Sequence, residues 1–321
     1  MRLPELSPSA YRRVTQAALW SLVFIVVTGA AVRLSNSGLG CTDWPTCKAN
    51  HIVAPFEYHA MVEFVNRMIT GAVSVAVMLA VLGSLRRVPR RRDLTWLSVG
   101  LVVGVLGQIL LGGAVVRSGL NPWVVQGHFV LSMLLILDAV VLTHRAAQAD
   151  DAPPARPRVE PTEQRMGTAL AGLAAVVILT GTITTGAGPH SGQNAGTFVR
   201  RLPLSPHDAA RIHGVTMMVF LAAVIVLAVR LRRTSAAEGA FQPVGTLLTV
   251  LVLQGAIGYT QYFTGIPPLL VGLHVFGACL VWVAVLRLRL EMQSPPGHPA
   301  ESRHVDRRAD DPTGRDLVPQ R

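Results

Sequence analysis

Three histidines at matching positions carry the strongest chemical signal in this 321-residue sequence. His128, His213 and His274 each fall within the first two turns of a long apolar stretch. An ionisable side chain inside a membrane segment is costly and faces a cavity or a partner. A lone membrane histidine is more often a hydrogen-bonding link between helices, but three at one depth point to metal ligation. Zinc would ask for further Cys, His or carboxylate donors in a tetrahedral set. One imidazole from each of two facing helices suits instead the axial positions of a flat porphyrin. His213 and His274 therefore read as a bis-imidazole pair for one haem, which carries electrons because it has no open position. His128 reads as a ligand to a second haem.

Glu63 and Asn66 stand three residues apart, on one face of a helix. Asn66 occupies the place that His213 holds in the second half of the chain, so the first site has one strong ligand. Glu63 has two readings, a hydrogen-bonding cap for a neighbour or an acid/base group beside an open iron face. Cys41 and Cys47, with five residues between them in the run GLGCTDWPTCKAN, lie in an outer loop where the compartment is oxidising. They read as a disulfide or as two unpaired thiols. Cys279 reads as a small core residue. His51, His59, His144, His190, His207, His298 and His304 read as solvated. Arg67 and Arg211, beside the ligand positions, are candidates for pairing with haem propionates, and Trp44 and Trp123 for the interfacial aromatic belt.

What must position these side chains is legible in the hydropathy. Half of the residues are hydrophobic and 15% are charged, against about 25% charged in soluble domains. Eight stretches reach the roughly 20 apolar residues that a membrane helix needs: 14–34, 61–85, 94–116, 122–144, 167–187, 210–230, 243–263 and 267–288. The first follows Arg12 and Arg13 as a signal peptide would, but it lacks a small-residue cleavage site and reads as retained. Of the 29 Lys and Arg residues, Arg33, Lys48, Arg67, Arg117, Arg200, Arg201 and Arg211 fall on one side, and the other 22 on the side of the N-terminus. The positive-inside rule then places both termini in the cytoplasm of a multi-pass protein of the cell membrane. A net charge of +11 could suggest nucleic acid. These basic residues sit between apolar spans rather than on one face, which excludes that class.

The two halves repeat. Gln108, Gly112, Pro122 and His128 recur as Gln254, Gly258, Pro268 and His274, at an offset of 146 throughout. Thr28-Gly29 likewise matches Thr180-Gly181. The expected architecture is an all-α membrane protein of eight transmembrane helices, built as two tandem, duplicated four-helix bundles. An even number of helices per unit makes the repeats parallel rather than inverted. The expected organisation is an N-terminal unit over 1–145, an inner linker over 146–166, a C-terminal unit over 167–291 and a disordered tail over 292–321. Four-helix units hold cofactors among facing side chains.

The runs TGAAVRLSNSGLGCTDWPTC, VEFVNRMITG, VVQGHFVLSM, RIHGV and GLHVFGA together resemble the haem A synthase family over about residues 14–290. The resemblance implies an enzyme that oxidises the C8 methyl of haem O to a formyl group, making haem A for cytochrome oxidase. It further implies haem B on His213 and His274 in the C-terminal half, and substrate haem O on His128 in the N-terminal half with Asn66 in the pocket wall. Glu63 would be the catalytic carboxylate, and Cys41 and Cys47 the loop cysteine pair. A haem O synthase (a farnesyltransferase) and the assembly of cytochrome oxidase are the implied partners. One departure stands out: the family pattern Glu-x-x-His-Arg is here Glu63-Phe64-Val65-Asn66-Arg67. The competing reading is a transmembrane b-type cytochrome that carries electrons without substrate chemistry. It would pair ligands in both halves and split them between the two faces; a repeat-built transporter would need paired broken helices.

Overall fold

A computed structural model describes residues 5–49, 51–151, 158–192, 198–233 and 237–293. The described residues form eight helices: α1 (Pro8–Leu34), α2 (Tyr58–Arg86), α3 (Arg92–Arg117), α4 (Pro122–Ala146), α5 (Pro161–Ala187), α6 (Pro206–Arg233), α7 (Ala237–Phe263) and α8 (Pro268–Glu291). All eight are long and apolar enough to cross a membrane. Their 24 to 29 residues span about 36 to 44 Å at about 1.5 Å per residue, so the ends pass beyond the hydrocarbon. Proline in the first turn of α1, α4, α5 and α8 presets the helical φ where no N–H is needed. Trp96, Leu110, Val215 and Val252 are 63–73% exposed, an apolar surface that only lipid would cover.

Helix α1 packs on α2 and α4, and α3 on the same two, closing a ring of four; α5 to α8 close a second ring in the same order. The rings meet where α8 lies against α1 and α4, and α4 against α5. Helix α8 is apolar all round, with Val281 to Leu286 buried without a break. At that seam the Trp282 indole donates to the Met133 carbonyl of α4 at 2.9 Å. Within the first ring, Leu131 and Leu135 of α4 lie directly over Gly107 and Gly104 of α3, the close approach that small residues permit between membrane helices.

Most helices begin before the apolar stretches expected from the sequence. Helix α5 starts at Pro161, six residues before the apolar stretch, because proline-led polar turns extend the helix beyond the lipid-soluble part. The connection expected over 146–166 is thereby shortened to 147–160. The tail expected from 292 starts later as well, since Met292 is fully buried and covers Gly167 of α5. The remainder of that tail, beyond Gln293, lies outside the described residues.

At the arginine-rich end of the bundle, Arg87 is 1% exposed and bonds Asp150 at 2.7 Å and the Pro89 carbonyl at 2.5 Å. Asp150, just past α4, is thus tied to the α2–α3 turn. Removing one partner of a buried ion pair strands the other charge. Asp150→Ala is expected to cost about 3 kcal/mol, read as a lower unfolding midpoint in detergent.

Candidate functional site

His213 and His274 come together although α6 and α8 are not neighbours in their ring. Each helix begins with a proline, Pro206 and Pro268, which sets both imidazoles about two turns in. The ring centroids are 6.2 Å apart, with planes at 80°. A metal–imidazole bond of about 2 Å and about 1 Å more to the ring centre on each side total roughly 6 Å, the separation of two axial imidazoles sharing one iron. Glycines make room for both. A Cβ on Gly181 of α5 would stand 3.1 Å from His213 Cε1, and one on Gly258 of α7 would stand 3.0 Å from His274 Cε1. The Thr180 hydroxyl lies 3.2 Å from His213 Nδ1 and also meets Thr216 at 3.0 Å. That contact fixes the ring and leaves Nε2 for a ligand. Gln254 Nε2 donates to the His274 carbonyl at 2.8 Å, while His274 Nδ1 is buried without a hydrogen-bond partner. Among the described residues no three His, Cys, Asp or Glu side chains converge as a metal site. Two facing imidazoles one iron's span apart, with no third donor, fit the axial pair of a porphyrin rather than a zinc centre.

The first ring repeats half of this arrangement. Gln108 Nε2 donates to the His128 carbonyl at 3.2 Å and to Ser132 Oγ at 2.7 Å. Gly112 faces the ring, with its virtual Cβ 3.7 Å from His128 Cε1, and His128 Nδ1 is buried without a partner. The opposing position, on α2, is Asn66, whose Oδ1 is likewise buried and unpartnered. Helices α2 and α4 stand across the ring from each other, as α6 and α8 do.

Glu63 is one turn further out on α2, 6% exposed. Both of its oxygens are engaged: the Cys41 N–H donates to Oε2 at 2.9 Å, and Arg67 Nη2 to Oε1 at 2.7 Å. Arg67 also donates to the carbonyls of Thr46 and Asp43, at 2.9 and 3.2 Å. Cys41 and Cys47 are joined as a disulfide, fully buried with Ala54 and Ala60. Gly40 touches the His59 carbonyl so closely that no side chain fits there. The carboxylate and its arginine therefore hold this loop down on the start of α2, one turn from Asn66. The Arg67 guanidinium is turned to this loop rather than left free for a propionate.

Residues 12–55 and 51–286 match the family model of the cytochrome oxidase assembly proteins. The chain belongs to that family. Curated relatives include the Heme A synthase of Halalkalibacterium halodurans, 26% identical over 272 residues, 81% of this chain and 87% of that protein. Those of Lysinibacillus sphaericus and Shouchella clausii are 27% and 31% identical over 135 and 126 residues, 42% and 39% of this chain. Those two matches span 44% and 42% of the relatives' own length, less than half of each.

Several side chains of this family member escape sequence reasoning. Arg33, at the outer end of α1, donates to the carbonyls of His190 and Thr185 at 2.6 and 3.0 Å, lashing the second ring to the first. His190 Nε2 meets the Ile266 carbonyl at 2.8 Å, and His59 Nδ1 meets Ser37 Oγ at 3.0 Å. Both histidines are structural rather than simply solvated, because loops fold back on them. His298 and His304 lie outside the described residues. Trp44 covers Gly113, with the Arg117 guanidinium 5.6 Å from its ring, while Trp123 is 64% exposed, as a belt residue would be. Asp138, well inside α4, lies over Gly100 of α3; a single carboxylate in an apolar run leaves no spacing signal.

Proposed function

We propose that this protein is a haem A synthase, oxidising the C8 methyl of haem O to a formyl group. The observation that carries the reading is the asymmetry between two similar sites. One has two imidazoles 6.2 Å apart; the other has His128 alone, with the amide Asn66 at the repeat counterpart of His213. The relatives named Heme A synthase and the shared family support it. The rings act as two tandem units, residues 1–145 and 167–291, with different tasks and both chain ends in the cytoplasm.

His213 and His274 would hold haem B, which would supply one-electron transfer. Thr180 orients His213, while Gly181 and Gly258 keep the porphyrin space clear. His128 holds the substrate haem by its other unit's equivalent of the His274 position, and Asn66 leaves the opposite face without an imidazole. Net conversion of the methyl takes one oxygen atom, counted as water, and releases four protons and four electrons, which must pass to an electron acceptor outside this chain (CH3 + H2O → CHO + 4 H+ + 4 e−). Glu63, paired with Arg67 beside that face, accepts protons as the C–H bonds break. Haem O from a farnesyltransferase in the same membrane is the incoming substrate, and cytochrome oxidase is where the product is used.

Haem extraction from cells supplied with haem O tests the reading. The wild-type protein yields haem A with haem B; haem B alone, with haem O unconverted, would leave an electron carrier instead. Asn66→His tests the open face. The substrate haem is expected to change from a high-spin to a six-coordinate low-spin absorption spectrum, and haem A output to fall. A substrate spectrum already low-spin and unchanged by the substitution would contradict it.

A further inference from the structure

The difference between Asn66 and His213 also changes the wall next to it. In the second ring, Gly181 is filled by the His213 ring, 3.1 Å from its virtual Cβ. Its counterpart in the first ring, Gly29 of α1, has nothing within 4 Å. Next to it in sequence, Thr28 lines a groove of about 360 Å³ between α1 and α2, whose walls also include Ala31, Tyr58, Met61, Val65 and Asn66. Val65 is 49% exposed, so the groove opens on the lipid-facing side. Its volume falls within the roughly 300–1,000 Å³ of small-molecule sites, and its lining is apolar except for Thr28, Asn66 and the Tyr58 hydroxyl.

We propose that this groove takes the isoprenoid tail of the substrate haem and makes the first site selective for a tailed porphyrin over haem B; the inference rests on the haem A synthase reading. A flat porphyrin bound inside a ring of helices leaves no room there for a long alkenyl chain. The chain must leave between two helices, and it does so at least cost along an apolar channel leading to lipid. The α1–α2 groove is such a channel, beside the one face of the first site that lacks an imidazole. In the second ring the imidazole of His213 fills the corresponding corner, so only an untailed haem fits. The duplicated fold thus sorts two haems that differ by the tail through a single repeat position, 66 against 213. Asn66 adds a polar contact. A buried acceptor without a donor is destabilising, and the hydroxyl at the head of the haem O tail supplies the donor.

The test titrates the purified full-length protein, carrying its second-site haem, with haem O and with haem B, following the first site by absorbance. The wild type is expected to bind haem O at least about tenfold more tightly, a difference that burying only a few methylene groups would produce. Thr28→Leu puts bulk into the groove from its α1 wall and favours the helix. It is expected to remove that preference, weakening haem O about tenfold or more and leaving haem B within about twofold. Ala31→Leu, further along the groove, is expected to act in the same direction, and unchanged second-site haem content shows that both variants are folded. Equal wild-type affinities for the two haems, or variants that weaken both equally, would overturn the groove while leaving the enzyme reading standing. A wild-type first site that binds neither haem would overturn both.

Discussion

His274→Ala is expected to strip the protein of its low-spin haem and stop haem A formation while leaving the helices in place. The imidazole is one of two that face each other at 6.2 Å, and alanine offers the iron nothing. Groups that merely orient a metal ligand typically contribute 10- to 100-fold in affinity or activity, so loss of the ligand itself is expected to exceed about 100-fold. Thr180→Val provides the internal scale. It keeps His213 but removes the hydroxyl at 3.2 Å from Nδ1, and is expected to weaken haem retention by about tenfold. Gel-filtration profile, helical circular dichroism and the haem-to-protein ratio separate ligand loss from misfolding. Retention of a normal haem ratio by His274→Ala would remove this residue from the site.

The second large effect belongs to Glu63. In Glu63→Ala, Arg67 loses a partner at 2.7 Å and the Cys41 N–H loses its acceptor at 2.9 Å. Breaking one side of a buried pair costs about 3–5 kcal/mol, and loss of a general base costs about 10²- to 10⁴-fold in rate. Both predict haem O accumulating in place of haem A, so alanine alone does not distinguish an anchor from a base. Glu63→Gln does. Glutamine still accepts from Cys41 and holds the loop but takes up no proton. If the carboxylate moves protons, Glu63→Gln is expected to fold and bind haem O and yet convert it less than about one hundredth as fast. Conversion near the wild-type rate would reduce Glu63 to the loop anchor that its contacts already make it.

The helices were legible because lipid imposes one rule, about 20 apolar residues for each crossing, and eight stretches obey it. Their ends were not. Hydropathy stops at the first polar turns, whereas Pro161 and Tyr58 start helices that project beyond the hydrocarbon. The histidine pair was legible through the repeat, since an offset of 146 brings Gln254, Gly258 and His274 into register with Gln108, Gly112 and His128. The partners of Glu63 were not, because they come from a loop that returns to α2 only after Gly40 has passed against His59. Such contacts depend on loop closure, which has no period. The role of Gly29 was equally hidden: the sequence pairs it with Gly181, and only the packing shows one filled and the other open.

The central claim, that His213 and His274 grip one iron between α6 and α8, is tested most directly by electron paramagnetic resonance of the oxidised, purified protein. Imidazole planes near 80° predict a low-spin ferric signal of the strongly anisotropic kind that perpendicular axial histidines give. That signal should be lost in both His213→Ala and His274→Ala and kept in His128→Ala. A high-spin resting haem, or a low-spin signal that survives either of the first two substitutions, would contradict the account.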